Sequence, residues 1–212
     1  MIYEKISLIK PYSYIYNNLG YLFFLNQNYS KANILFKKAI KTDKENGIQS
    51  SEIYFYNLGC SLEKLKLKEE AKLAYSHALK ICPNYENAFY NLGCLYYRSN
   101  KFILASDMFK KSIELCSDLF SYLNLGNCYA KLKNYKEACE CFKKVIDLNA
   151  KISDAYHSLA LNLEHLEMNE EALNYLEKLI KIDPNNEVVK LDYSRIKNKL
   201  SLNSNFFNCR IF

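Results

Sequence analysis

Small and hydrophobic residues recur along the chain at intervals close to 34 residues. The triplet Asn-Leu-Gly occurs four times, and a fifth copy reads Ser-Leu-Ala. The repeated position, with separations of 39, 34, 33 and 34 residues, is occupied by Gly20, Gly59, Gly93, Gly126 and Ala160. Leucine always stands one residue before it, and alanine always stands twelve residues after it. A period of this length indicates a solenoid of repeated helical units.

Each unit contains two apolar stripes, which are numbered here as offsets from the repeated Gly or Ala160. The first stripe lies at offsets −4, −1, 0 and +3, and the second lies at +12, +16 and +19. A short polar stretch, such as residues 65–70, separates them. Because both stripes have helical spacing, each unit is predicted to form a helix, a tight turn and a second helix. Small residues at offsets 0 and +12 let the two backbones approach, and large residues fill the space beside them.

This pattern resembles the tetratricopeptide repeat (TPR) over residues 13–184, with Phe or Tyr in place of the usual Trp. The resemblance implies an all-α fold, a right-handed α-solenoid of stacked helix-turn-helix repeats. It also implies that the first helices line a concave groove, which commonly binds peptides in this family. The five repeats are expected at residues 13–51, 52–85, 86–118, 119–152 and 153–184.

The segments that flank the repeats are also interpretable. Residues 2–11, "IYEKISLIKP", resemble residues 175–184, "YLEKLIKIDP", so residues 1–12 are interpreted as the tail of a second helix. Such a partial repeat is expected in a fragment of a longer array or after a truncated start, and a half-repeat cap is the alternative. A capping helix is expected over residues 185–201, because four apolar residues share one face there. A flexible tail is expected over residues 202–212.

Composition narrows the possible classes of protein. The 212 residues are half hydrophobic, and the net charge of +6 is well short of the clustered excess typical of nucleic-acid binders. No segment is long and apolar enough to span a membrane, and the first ten residues lack a signal-peptide core. The cytoplasm is therefore the expected location, with the nucleus as the alternative. The eight cysteines include no Cys-x-x-Cys pair, so reduced thiols are expected, with no metal site and no cofactor.

The sequence favours a binding protein over an enzyme. Four of the five glycines belong to the repeat, which leaves no glycine-rich phosphate loop. The histidines, His77, His157 and His165, have no evident nucleophile or metal partner. A protein–protein interaction scaffold with a protein or peptide ligand is therefore expected. One alternative is a TPR segment of a larger enzyme or complex, such as a glycosyltransferase-like protein or a multi-subunit assembly. The other, less favoured, is an RNA-binding helical-repeat protein.

The asparagine at offset −2 is the one repeated residue that the fold does not require. Asparagine costs several tenths of a kcal/mol relative to alanine inside a helix, and the sequence shows no folding benefit. Its amide accepts a hydrogen bond and donates two, so a row of such amides can grip the backbone of an extended peptide. The row resembles the asparagine ladder of the O-linked N-acetylglucosamine transferases, and family habit without a binding role is the alternative. Its members are Asn18, Asn57, Asn91 and Asn124, and Ser158 replaces asparagine in the fifth repeat.

The other groove offsets complete the predicted peptide-binding site. Offsets −6, −3 and +1 carry aromatic, aliphatic and polar residues, Ile53 among them, that form a floor suited to apolar ligand side chains. Offset +5 carries basic residues that favour acidic ligand residues or a terminal carboxylate, although a basic residue is also ordinary there. The floor includes Tyr21, Tyr56, Tyr90 and Asn127, and the basic row includes Lys64, Arg98 and Lys131.

Overall fold

The structure of the protein is a computed structural model that describes residues 12–208. The partial repeat expected over residues 1–12 therefore lies outside the described residues, except for Tyr12. Eleven α-helices and no strand lie in residues 12–208. The first two repeats contain α1 (Ser13–Leu25), α2 (Tyr29–Glu45), α3 (Glu52–Lys64) and α4 (Lys68–Ile81). The third and fourth contain α5 (Glu86–Arg98), α6 (Phe102–Leu115), α7 (Leu119–Lys131) and α8 (Tyr135–Leu148). The fifth contains α9 (Ser153–His165) and α10 (Asn169–Ile182), and α11 (Glu187–Asn208) follows it.

These helices confirm the expected all-α class, with two helices within the bounds of each predicted repeat. Contacts between Cα atoms divide the chain after Leu95 into two compact units. In the first unit, α1 packs on α2, α2 packs on α3, and α3 packs on α4. In the second unit, each helix from α6 to α10 packs on the helix that follows it, and α7 with α8 and α9 with α10 form two complete hairpins.

The repeated glycine is required by close packing inside each hairpin. A Cβ atom on Gly59 would lie 2.6 Å from Cε1 of the fully buried Tyr75 at offset +16. In the second unit, a Cβ atom on Gly126 would lie 2.8 Å from Cε1 of Phe142, which is also fully buried. Protein cores leave no room for such overlap, so the aromatic ring at +16 explains the glycine at offset 0.

Every first helix ends in the same way, with a residue in the left-handed conformation at offset +7. After α3, the N–H group of Lys66 bonds to the carbonyl of Glu63 and that of Leu67 bonds to the carbonyl of Leu62, both at 2.9 Å. These two bonds form a Schellman motif, which usually places glycine at the left-handed position. The five residues at this position, with φ between 57° and 64°, are Gln27, Lys66, Asn100, Lys133 and Glu167.

The last helix completes the core of the second unit. Val189 and Ile196 of α11 are buried in one cluster with residues of the fourth and fifth repeats, such as Phe142 and Leu163. The backbone of residues 202–208 is helical, which differs from the flexible tail expected over residues 202–212. These residues include no Gly or Pro that would stop the helix. Residues 209–212 lie outside the described residues.

Candidate functional site

Amide groups connect the first helices of the first two repeats. Asn57 of α3 donates from Nδ2 to Oδ1 of Asn17 on α1, at 3.0 Å. Asn17 is only 7% exposed, and its own Nδ2 lies 3.4 Å from Oδ1 of the exposed Asn18. The expectation that the repeated asparagine brings no folding benefit is therefore wrong for Asn57, because its amide links two consecutive repeats.

Asn91 of α5 makes the corresponding link to the second repeat. Its Nδ2 lies 3.2 Å from the hydroxyl of Tyr56 on α3 and 3.3 Å from the hydroxyl of Tyr75 on α4. The Sγ atom of Cys60 is 3.7 Å from the same nitrogen. The Tyr75 hydroxyl also donates to Oε2 of Glu63 at 3.1 Å. A connected polar cluster thus lies where the third repeat meets the second.

Helix α11 repeats this arrangement with a carboxylate as the linking side chain. Asp192 of α11 accepts from Nε2 of His157 on α9 at 2.8 Å and from Nη2 of Arg195 at 2.8 Å. Arg195 also bonds to Glu164 of α9. Burial opposes the ionisation of Asp192, but the hydrogen bonds from Arg195 and His157 outweigh it and lower the pKa of this carboxyl.

One rule describes all three links. The side chain at offset −2 hydrogen-bonds to the side chain at offset −3 of the preceding first helix. Helix α11 follows the same numbering if Ser194, 34 residues after Ala160, takes offset 0, which places Asp192 at offset −2. The three pairs are Asn57 with Asn17, Asn91 with Tyr56, and Asp192 with His157. This pairing was not predicted from the sequence, because each offset was considered separately. The available signal was that the residue before the repeated asparagine is itself able to hydrogen-bond at these positions.

The junction of the fourth and fifth repeats lacks this pair. Leu123 stands at offset −3 of α7, and Ser158 stands at offset −2 of α9. Leu123 packs instead against the buried cluster of the second unit. The amide of Asn162, one turn after Ser158, donates back to the Ser158 carbonyl at 2.7 Å.

The predicted aromatic floor divides into exposed and packed side chains in the first unit. Tyr21 of α1 is 47% exposed and Ile53 of α3 is 44% exposed. Tyr56 and Tyr90 are half-buried, and the Tyr56 ring lies 5.2 Å from the ring of Tyr85. Burial is the main reason that the pKa of Tyr56 is raised, so its hydroxyl stays protonated at neutral pH. The exposed members are therefore the ones available for apolar contacts with a ligand.

The basic row lies at the ends of first helices. Lys64 of the first unit is exposed in the last turn of α3. In the second unit, Arg98 ends α5 and Lys131 ends α7, and both are exposed. Asn124 and Asn127 are half-buried on α7. The structure thus brings Asn18, Asn57, Asn91 and Tyr56 into hydrogen-bonded groups and leaves Tyr21 and Lys64 exposed beside solvent.

The thiol of Cys60 belongs to the polar cluster around Asn91. Burial raises the pKa of the Cys60 thiol, which keeps it in the poorly nucleophilic protonated form. No cluster of three potential metal ligands occurs between residues 12 and 201. In the described part of the chain, no helix has the length and apolar character needed to cross a membrane.

Comparisons with known proteins agree with this architecture. Sequence profiles of the tetratricopeptide repeat match residues 13–46, 53–85, 86–119 and 117–185. The anaphase-promoting complex subunit CDC16 of Saccharomyces cerevisiae is 31% identical over 134 residues, covering 59% of this chain and 16% of that protein. The TPR repeat-containing protein MJ1428 of Methanocaldococcus jannaschii is 28% identical over 192 residues, covering 69% of this chain and 34% of that protein. The chain thus spans about a third or less of the length of these two relatives.

A solved structure shares the fold. The crystal structure of YrrB, described as a TPR protein with an unusual peptide-binding site, matches with a TM-score of 0.78 and 23% sequence identity. The match covers 91% of this chain and 96% of that one.

Proposed function

Because the chain belongs to the tetratricopeptide repeat family, we propose that it is a non-catalytic interaction scaffold that binds an extended peptide across its first helices. The proposal rests on the hydrogen bonding of the Asn57 side-chain amide. One of its N–H groups is bound to Asn17, which holds the side chain in a single orientation. Its second N–H and its Oδ1 have no partner among the described residues and are available to a peptide group.

The spacing of the first helices suits this role. Packed helices lie roughly 8–10 Å apart, and an extended chain rises roughly 3.3 Å per residue. One amide per repeat would therefore meet about every third ligand residue. In the first unit these amides are Asn18, Asn57 and Asn91, and the exposed side chains of Tyr21 and Ile53 would contact apolar ligand side chains between them.

Charge supports a peptide rather than a nucleic acid as the ligand. Helix α1 carries no charged residue, and α3 carries Glu52 and Glu63 against the single Lys64. Phosphate backbones are bound mainly by clusters of Lys and Arg, which this face of the first unit does not provide. Lys64 is instead placed to attract one acidic group of a peptide. The proposed contacts of Asn124, Asn127, Arg98 and Lys131 belong to the second unit and stay predictions there.

Two features support the proposed setting and assembly. The described cysteines are all free thiols, as expected in the reducing cytoplasm or nucleus. The similarity to a subunit of the anaphase-promoting complex favours, as a second candidate, a role as one segment of a larger assembly. Cross-linking of the endogenous protein followed by mass spectrometry would test this second candidate, because stable neighbours would then be joined to it.

A peptide selection with matched variants tests the main proposal. Displayed random 12-residue peptides are selected on the immobilised protein, and the affinity of a recovered peptide is then measured by fluorescence anisotropy. Ile53→Ser on α3 is expected to weaken binding, whereas Leu73→Ser, a 63% exposed residue of α4, is expected to leave it unchanged. In the first repeat, Tyr21→Ser on α1 is likewise expected to weaken binding, and Ile34→Ser on α2 is expected to leave it unchanged. Equal losses from both members of each pair would contradict binding across the first helices.

A further inference from the structure

The hydrogen bonds around Asn91 fix the direction in which its amide points. The hydroxyl of Tyr75 has a single proton, and the carboxylate of Glu63, 3.1 Å away, is its strongest available acceptor. Toward Asn91 the Tyr75 oxygen must then act as an acceptor. The group of Asn91 that lies 3.3 Å from it is therefore the NH₂ group.

The second N–H of Asn91 is also committed within the protein. The hydroxyl oxygen of Tyr56 lies 3.2 Å from the same Nδ2 atom, so the two hydrogens of this nitrogen have two phenol acceptors. Burial raises the pKa of both phenols, so both hydroxyls are protonated near pH 7. Only Oδ1 of Asn91 remains, and no described residue donates to it. Asn91 is half-buried, so part of the side chain reaches solvent.

The repeated asparagines are therefore not equivalent. Asn57 retains one N–H and its Oδ1, whereas Asn91 retains Oδ1 alone. We infer that Asn91 recognises the peptide of the proposed function only as an acceptor, so the ligand residue opposite it must supply a backbone N–H and is not proline. Glu63 and Tyr75 act as positioning residues, because they orient the Asn91 amide through its NH₂ group.

A scan of amide-to-ester replacements in the selected peptide tests this inference. Each ester removes one backbone N–H with little change in bulk. On the wild-type protein, one ester is expected to weaken binding about three- to tenfold, as the loss of one hydrogen bond would. On Asn91→Ala the same ester is expected to have no further effect, because its acceptor is already absent. A merely structural role of Asn91 would not produce such a position-specific coupling.

Asn91→Leu provides a second variant if Asn91→Ala does not fold, since leucine keeps the approximate shape of asparagine and has no acceptor. The inference is wrong if an ester lowers peptide affinity equally on the wild type and on the variant, or if no ester position lowers it. Either result would leave peptide binding itself intact. A selection that yields no peptide sensitive to Ile53→Ser would instead remove the proposed function, and this inference with it.

Discussion

The Nδ2 atom of Asn57 lies 3.0 Å from Oδ1 of Asn17, one repeat earlier in the chain. Asn17 is buried, so this amide pair is shielded from water, which would otherwise compete for its hydrogen bond. Asparagine weakens an isolated helix, but here its side chain forms a contact between two helices. In the proposed function the remaining polar atoms of this side chain would bind the ligand, which would link stability to recognition at this position.

Breaking the amide pair is expected to destabilise the first unit. Asn17→Ala should lower the free energy of unfolding by about 1 kcal/mol, because it removes a hydrogen bond from a buried site. Asn57→Ala should act similarly, and the double variant should lose about 0.5–1.5 kcal/mol less than the sum, since both changes remove the same bond. Urea unfolding followed by circular dichroism measures all three.

The exposed Asn174 of α10 provides the control for this series. Asn174→Ala is expected to stabilise the chain by several tenths of a kcal/mol, through helix propensity alone. Strictly additive losses at positions 17 and 57 would show that the amide pair contributes nothing to stability.

The contact between Gly126 and Phe142 predicts a compensating pair of substitutions. Gly126→Ala should cost about 1–3 kcal/mol, because the added methyl group would overlap the buried ring. In the fifth repeat, Ala160 occurs together with Leu176, and both are fully buried. Gly126→Ala with Phe142→Leu should therefore be more stable than the sum of the single changes predicts. Melting temperatures of the four proteins test this, and simple additivity would argue against the contact.

The left-handed turn residues predict a stabilising change to glycine. Lys133 has φ near 62°, a conformation that costs a residue with a Cβ atom about 1 kcal/mol relative to glycine. Lys133→Gly should therefore raise the melting temperature. Lys144→Gly, at an exposed position in the interior of α8, should lower it, because glycine costs about 1 kcal/mol in a helix interior. The same sign for both variants would contradict the assigned turn geometry.

The pairing of His157 with Asp192 predicts a dependence of stability on acidity. The pKa of Asp192 in the folded protein lies below its ordinary value of 3.8. The stabilisation from this carboxylate is therefore complete above that value and is lost as the pH falls through the lower folded pKa. Urea unfolding at pH 7 should show Asp192→Asn to be less stable than the wild type. The difference should shrink below about pH 4, and a difference independent of pH would contradict the ionised pair.

Much of the fold follows from single columns of the repeat. The spacing of Gly59 from Tyr75 predicts two helices in contact, because a small residue must face a large one where backbones approach closely. The left-handed turn at Lys66 could not be predicted, since lysine gives no signal for positive φ and the turn is imposed by packing of the flanking helices. The helix α11 was expected to end at residue 201 but continues to Asn208. Residues 202–208 contain no Gly or Pro that would stop it.

The sequence indicates which residues form the candidate site, but not which of them hydrogen-bond to each other. Asn57 and Asn91 are polar residues on an otherwise apolar helix face, which marks them for a role in hydrogen bonding. Their partners lie 40 and 35 residues away, and only folded helices show that Asn17 and Tyr56 face them. The unequal bonding capacity of the two asparagines depends on Tyr75, a core residue of another helix.

The junction of α7 and α9, where Leu123 packs against the buried cluster instead of forming a hydrogen-bonded pair, has a consequence for behaviour in the cold. Attraction between nonpolar surfaces fades on cooling, whereas a shielded amide contact does not depend on it in the same way. In a chilled sample, amide hydrogens of α7 and α9 should then exchange with deuterium sooner than those of α1 and α3. Low temperature would thus distinguish the junction of α7 and α9 from that of α1 and α3, although both join repeats of the same helical pattern.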